Sequence, residues 1–427
     1  MWRGDERLND RLQTWLLVLA ITAALAGLSR WWPLVTRSGA LDVDVYAHGG
    51  AAVLKGLDLY ALSPGLPTFT YTPFAALLFV PLGALPLVIA ERSVAVLSLT
   101  SLFLAALLCV RMGLEDARVS RRLFWAGVVG LFAAALFMEP VAATLRLGQI
   151  NLILLALLLV DVSGALRRVP RGVFVGLATA VKLTPGVFIL YYAVTGRVKA
   201  AAVAALAFVA AALAGFALLP HASWEYWTSL VFSVDRVASP GIMHEQSLHG
   251  LLVRTRLDFA QTTVVWMAVS AAAIAAGLML ARRLSRRGRS LWAVCAVGIA
   301  GLLGSPFSWH HHWVWAVPVL AALGCEAARR RSYWLAAATI AWWWVFYKGL
   351  PGLVIMRGFG PIPRTLLRVL VYDDFVWAGL AVMIALAVWV TRTPAPTSSA
   401  GVTPAGGVSG PDQVSESTPA RGAAPGG

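Results

Sequence analysis

Asp42, Asp44, His48, Lys55, Asp58 and Tyr71 fall within one stretch, 41–74, of an otherwise oily chain. Asp42 and Asp44 are two residues apart. On a helix two such side chains point about 200° apart, whereas on extended backbone both leave the same face. A D-x-D pair on one face just outside a bilayer can act as a general base with a helper, or ligate a divalent cation. The plainer alternative is a solvated loop. Further along, Glu139-Pro140 opens a segment that ends Gly148-Gln149-Ile150-Asn151. Gln149 and Asn151 sit at the mouth of the next apolar run. They suit sugar hydroxyls, or else Asn151 is a helix cap and Gly148 a turn. Lys182 stands in an apolar hairpin just before Pro185, either snorkelling to the interface or meeting an anionic lipid head group. The quartet His244-Glu245-Gln246-Ser247 is more polar than an interfacial anchor needs. The run Ser305-Pro306-Phe307-Ser308-Trp309-His310-His311-His312-Trp313 is the other strong signal. Three consecutive histidines cannot share a helical face, and no H-E-x-x-H occurs, so a zinc site built from this run has poor geometry. One or two of them donating to a phosphate fits better.

The elements that must position these residues follow from composition. The chain is 59% hydrophobic and 13% charged, with a mean hydropathy of +0.75, against about 25% charged residues in soluble domains. Long apolar runs recur from Leu12 to Val390. The fold class is therefore an all-α polytopic membrane protein, because lipid does not tolerate an open sheet. Spans are expected near 12–30, 88–110, 123–138, 150–163, 172–182, 185–196, 200–219, 263–281, 291–304, 313–328, 333–349 and 375–391, about twelve crossings with both termini inside. The pieces 172–182 and 185–196 are shorter than the ~20 residues of a full span. They read as two short helices meeting at Lys182-Leu183-Thr184-Pro185. The piece 74–86, broken by Pro81 and Pro86, is also too short and is expected at the outer interface.

Charge sets the orientation. The net charge is +15, and arginine clusters at 111–122, 167–171, 282–289 and 329–331 separate the apolar runs. No aromatic-interleaved basic groove accompanies them, so they indicate cytoplasmic loops and no nucleic-acid partner. Outside then lie 31–73, 139–149, the 182–185 apex, 220–262, 305–312 and 350–374. All seven histidines fall in these segments. That one-sidedness points to chemistry at the outer face of the plasma membrane. Cys109, Cys295 and Cys325 have neither metal-ligand spacing nor a readable disulfide pattern. No Walker A, no G-x-G-x-x-G after a strand and no G-x-S-x-G elbow appears. Two units are expected: a membrane domain over 1–391, and a Pro/Gly/Ser-rich tail over 392–427 that should be disordered and cytoplasmic.

Taken in order, Leu41-Asp42-Val43-Asp44-Val45-Tyr46, Phe69-Thr70-Tyr71-Thr72-Pro73-Phe74, Glu139-Pro140, Gly148-Gln149-Ile150-Asn151, Lys182-Leu183-Thr184-Pro185 and Ser305-Pro306-x-Ser308-Trp309-x-His311-His312-Trp313 resemble glycosyltransferase family 87. The likeness covers roughly residues 12–390, and six motifs in order on a matching hydropathy profile are the context a short motif needs. It implies a GT-C fold with outer-face loops carrying short juxtamembrane helices. It also implies a polyprenyl-phosphomannose donor and an α-(1→2)-mannosyl product on lipomannan, lipoarabinomannan or a phosphatidylinositol mannoside. The family's catalytic aspartate corresponds to Asp42. A β-linked donor and an α-linked product mean inversion, with Asp42 as base on the acceptor hydroxyl. Lys182 and His311 or His312 would hold the leaving phosphate. Asp44, Tyr71, Glu139, Gln149, Asn151, His244, Glu245 and Gln246 would bind sugar or acceptor. A phosphate leaves readily, so no cofactor is required, and only the D-x-D pair keeps a divalent metal open. The rival class is a transporter or flippase of a lipid-linked sugar. It would show internal repeats and polar residues on broken helices at mid-membrane, whereas here no repeat is visible and the acids gather at one interface.

Overall fold

The computed structural model describes residues 3–36, 39–61, 65, 67–115, 117–233, 244–255, 259–356 and 365–392. The expected tail lies outside them, apart from its first residue. The described residues form α-helices in the order α1 Arg3–Thr36, α2 Leu41–Lys55, α3 Pro73–Ala84, α4 Leu87–Gly113, α5 Arg121–Ala135, α6 Glu139–Leu147, α7 Asn151–Ser163, α8 Val173–Val181, α9 Val187–Val194, α10 Val198–Leu218, α11 Pro220–Thr228, α12 Leu248–Arg254, α13 Phe259–Arg286, α14 Ser290–Gly304, α15 Ala316–Arg330, α16 Tyr333–Met356, α17 Thr365–Tyr372 and α18 Asp374–Arg392. Among them there is no strand, only one isolated antiparallel bridge between Glu245 and Trp309. The all-helical class is as expected, and every expected span coincides with a helix.

Fewer helices than the twelve expected crossings are long enough to cross alone. Among the described residues, five helices are long and apolar enough to cross a membrane by themselves: Asp10–Pro33 within α1, α4, α10, Thr263–Arg286 within α13, and α18. A sixth would be the pair α5 and α6, which is bent by 67° at its break. The physical reason is length. Helices such as α7 and α14, with 13 and 15 residues, rise only ~20 Å against the ~30 Å of a hydrocarbon core. The segment 139–149, expected as a polar loop, is mostly the short helix α6. The two short helices expected around Lys182 are present as α8 and α9, joined by a 3-10 turn at Thr184–Gly186.

Two carboxylates inside the bundle organise helix starts. Glu91 of α4 is buried, and its Oε1 accepts the backbone N–H groups of Gly39 at 2.7 Å and Ala40 at 2.8 Å. It thereby satisfies donors just ahead of α2, whose own N-cap, Ala40, has no side-chain acceptor. Asp161 near the end of α7 accepts N–H groups of Gly172, Phe174 and Val175 at 2.7, 2.8 and 3.1 Å, together with the Tyr192 hydroxyl. It caps α8 from a neighbouring helix. Helix α2 packs closely on α3 because Gly50 and Gly83 face the partner backbone, where a Cβ would stand 2.2 Å from the Phe79 carbonyl oxygen and 2.3 Å from the Ala51 nitrogen.

Candidate active site

Asp42 is the second residue of α2, within the first turn, where the helix dipole attracts a carboxylate. The D-x-D pair is therefore helical and not extended, and its two members diverge. Asp44 turns to His48 one turn along, with His48 Nδ1 at 3.0 Å from its Oδ1 and the imidazole more than half exposed. The single-face pair that could serve as base and helper, or as a two-carboxylate ligand, is not formed. Among the described residues no three His, Cys, Asp or Glu side chains converge to hold a metal ion.

Asp42 instead meets Gln149, which follows the C-cap of α6. Gly148 ends that helix in the left-handed region at φ 73°, and a Cβ on it would lie 2.3 Å from Val43 Cγ2. A glycine there gives both the turn and the close approach to α2. Gln149 is buried. Its Oε1 lies 3.1 Å from the Tyr46 hydroxyl and 3.0 Å from the Tyr71 hydroxyl, and the two hydroxyls are 2.9 Å apart. Phenols facing Oε1 leave the amide N–H groups for the Asp42 carboxylate, with which Gln149 is hydrogen bonded. Burial pushes the Asp42 carboxyl up to about 6. The Gln149 amide and the Lys182 charge oppose that rise.

Lys182 is the residue at which α8 stops. Its backbone is extended, and its N–H still reaches back to the Ala178 carbonyl. The Thr72 hydroxyl accepts from Ala75 N–H to cap α3 and donates to the Ala180 carbonyl. That link sets Tyr71 beside Lys182, whose Nζ lies 5.7 Å from the ring centre. Lys182 Nζ donates to Asn151 Oδ1 at 3.2 Å and lies 3.0 Å from His312 Nε2. Burial pulls its ammonium down to about 8, with the Asp42 charge opposing that fall. His312 Nδ1 accepts the Trp309 N–H at 3.2 Å, so the proton of the neutral ring sits on Nε2. Burial and the Lys182 charge keep that ring neutral. Two donors thus face each other with no acceptor between them, an arrangement that an anion would complete.

His310, His311 and His312 open a 3-10 segment, His310–Trp315. At three residues per turn their side chains fan apart, and each meets different surroundings. His310 turns to Glu139, with Nε2 3.8 Å from Oε1, and to the ring of His244. Burial, His244 and Arg146 pull its pKa down to about 3. Glu139 also accepts Arg146 Nη2 at 2.6 Å. His311 is buried, and neither ring nitrogen has a hydrogen-bond partner. Its carbonyl accepts the Thr144 hydroxyl at 3.1 Å and the Asn151 amide at 3.0 Å. Asn151 is accordingly not the helix cap, which is Ile150; it ties Lys182 to the histidine run.

Glu245 and Gln246 lie inward as a buttress. Gln246 N–H donates to the Ser308 carbonyl at 2.6 Å, and the Trp313 indole donates to the Gln246 carbonyl at 3.0 Å. His310 N–H donates to the His244 carbonyl at 2.9 Å. Arg254 bonds the Glu245 carbonyl at 2.8 Å and pairs with Asp373. His244 is exposed beside His310, whereas Glu245 is fully buried with Ser247 and His249. Residues not singled out from the sequence complete the site: Tyr46, Thr144 and the distant cap Glu91. A lone glutamate in an apolar run was the one available signal for Glu91. Tyr46 and Thr144 gave none, being ordinary helix residues until the fold sets them beside Gln149 and the histidine run.

A helical membrane protein that gathers a half-buried carboxylate, a carbonyl-locked amide and a half-buried lysine at helix breaks holds a base and a cation facing each other, the groups a transferase in a membrane needs. The model of glycosyltransferase family 87 matches residues 69–306. The chain is 33% identical, over 95% of its length and 98% of the other's, to a polyprenol-phosphate-mannose-dependent alpha-(1-2)-phosphatidylinositol mannoside mannosyltransferase of Mycobacterium tuberculosis. A counterpart of the same description from Mycolicibacterium smegmatis is 33% identical, covering 81% of this chain and 83% of its own. A pentamannoside mannosyltransferase of Mycobacterium tuberculosis is 30% identical, with coverage of 81% and 79%. No solved structure matches. The chain belongs to glycosyltransferase family 87 and is a membrane glycosyltransferase.

Proposed function

We propose that this enzyme transfers mannose from polyprenyl-phosphomannose to a phosphatidylinositol mannoside or related mannan acceptor, in α-(1→2) linkage and with inversion, on a GT-C fold. The relatives' shared activity supports the chemistry. The observation in this chain that carries the reading is the facing of Asp42 by Lys182 across Gln149, Tyr71 and Asn151. In one displacement the acceptor oxygen attacks the anomeric carbon while Asp42 takes its proton. The bond from that carbon to the phosphate oxygen breaks, and its electron pair stays on the phosphate. Lys182 and His312 Nε2–H donate to the developing charge, and His311 supplies a further ring nitrogen. Gln149, held through its carbonyl by the tyrosines, orients the Asp42 carboxylate. Asp44, Tyr71, Glu139, Asn151 and His244 border the acceptor side, and Glu245 and Gln246 position the histidine run.

We place the reaction at the extracytoplasmic face of the plasma membrane. Helix α4, long enough to cross, carries Glu91 at the start of α2 near one end and Arg111 in its last turn at the other, and basic loops face the cytoplasm. No step requires a metal. The test is purified protein with polyprenyl-phosphomannose and a panel of phosphatidylinositol mannosides and mannans, followed by linkage analysis. An α-(1→2)-mannosyl product is expected. Transfer to none of these acceptors, or movement of the donor across a bilayer without transfer, would reject the proposal.

A further inference from the structure

The end of the bundle remote from Asp42 carries a second built feature. Glu326 of α15 is buried and receives Arg329 and Arg330 of its own helix, with Arg289 Nη1 at 3.9 Å. Three guanidiniums on one carboxylate leave a cationic surplus. Arg329 Nε is buried without a hydrogen-bond partner. Arg330 also lies 5.3 Å from the centre of the Trp389 ring. On one side of Glu326 is a polar pocket reaching Glu115, Arg289, Ser290 and Arg329. On the other is an open apolar crevice of about 230 Å³ between α15, α16 and α18, lined by Leu323, Leu335, Val382, Ala385, Leu386 and Trp389. Val382, Ala385, Leu386 and Trp389 recur at helical spacing on one face of α18, so the crevice runs ~10 Å along the helix. Ala385 is the small side chain that leaves it open. The crevice ends at Arg330, and Glu326 and Trp292 are shared between the two pockets.

A polar compartment with surplus positive charge, joined to an apolar slot along the helices, has the shape of one lipid. We propose that this basic end binds an anionic glycerophospholipid, with one acyl chain in the slot between α15 and α18 and the phosphate on Arg329 and Arg330. Trp334 and Tyr333, both almost wholly exposed at the start of α16, set this end at head-group depth. A soluble anion would use the arginines but leave the slot unexplained, and an uncharged lipid would leave the surplus charge and the orphaned Arg329 donor unexplained.

The test is native mass spectrometry of the full-length protein in detergent, incubated with phosphatidylglycerol or with phosphatidylcholine of the same chains. Phosphatidylglycerol should be retained roughly fivefold better per engaged arginine. Ala385→Trp, which fills the slot, should abolish that retention, and Arg329→Gln with Arg330→Gln should lower it to the phosphatidylcholine level. Arg330→Lys, which preserves the charge, should keep most of it. Equal retention of the two lipids by the unaltered protein overturns the proposal without any variant. So does displacement of bound phosphatidylglycerol by glycerol phosphate alone, which would reveal an anion site indifferent to the chain.

Discussion

Asp42 and Asp161 are both carboxylates held within the bundle, and they are satisfied very differently. Asp161 accepts three backbone N–H groups and a tyrosine hydroxyl, leaving no oxygen for anything else. Asp42 has one amide partner and a nearby ammonium, and it stays half-exposed. A saturated carboxylate fixes structure, because each bond to a charged acceptor contributes about 1.5–3 kcal/mol and every one is already made. An under-saturated one keeps a lone pair for a proton that arrives with substrate. The contrast separates two acids that composition alone would treat alike.

The largest expected effect tests that contrast directly. Asp42→Asn should lower the turnover number by ~10²–10⁴-fold, since an amide cannot take the acceptor proton, while thermal unfolding in detergent stays unchanged. Asp161→Ala should do the reverse. It orphans three N–H groups, two of them buried, costs about 3 kcal/mol or more, and leaves the surviving folded fraction with near-normal turnover. Comparable stability losses in the two variants would erase the distinction.

Next comes the proposed phosphate site. Lys182→Ala should reduce turnover by ~10²-fold and raise the donor requirement with it, because the contact strengthens as charge develops on the leaving oxygen. Lys182→Arg should recover only part of this, as a planar fork replaces a point charge in a confined place. If Lys182 only snorkels, arginine would be fully tolerated, and donor titration normalised to folded protein reads out which holds.

The pH profile follows from the same two groups. Asp42 works as a base only when ionised, so kcat/KM should fall as the pH drops below about 6. Lys182 stabilises the leaving phosphate only as a cation, so the rate should fall again above about 8. Gln149→Leu removes an interaction that lowers the Asp42 pKa and should move the acidic limb upward by up to about one pH unit. An unmoved limb would remove Gln149 from the role of orienting the carboxylate. The smallest effect is expected at Asp44, whose partner is an exposed histidine. Exposed ion pairs contribute about 0–1 kcal/mol, so Asp44→Asn should change turnover by less than about fivefold. A loss matching that of Asp42→Asn would restore the paired-carboxylate reading.

The amino-acid sequence by itself determined the helical membrane class, because a charge-poor chain in lipid has no other way to satisfy its backbone. It also determined where the long apolar helices fall, since the apolar runs, prolines and arginine clusters are local signals, whereas α2, α6, α11, α12 and α17 lie in stretches that read as polar outer loops. The break at Lys182-Leu183-Thr184-Pro185 was legible for the same reason: proline and a lone lysine mark it without reference to any other segment. The tertiary structure alone decided how the chemistry is shared among those residues. Asp42 and Asp44 diverge because 41–55 folds as a helix, which two aspartates do not announce. His310, His311 and His312 part company because a 3-10 turn fans them, and Glu245 turns inward because Arg254 and the strand-like bridge to Trp309 hold it there. Tyr46 joins Gln149 across 103 residues and Lys182 joins His312 across 130. Contacts of that range depend on how helices pack, and packing is settled by the shapes of many side chains at once, not by any short motif.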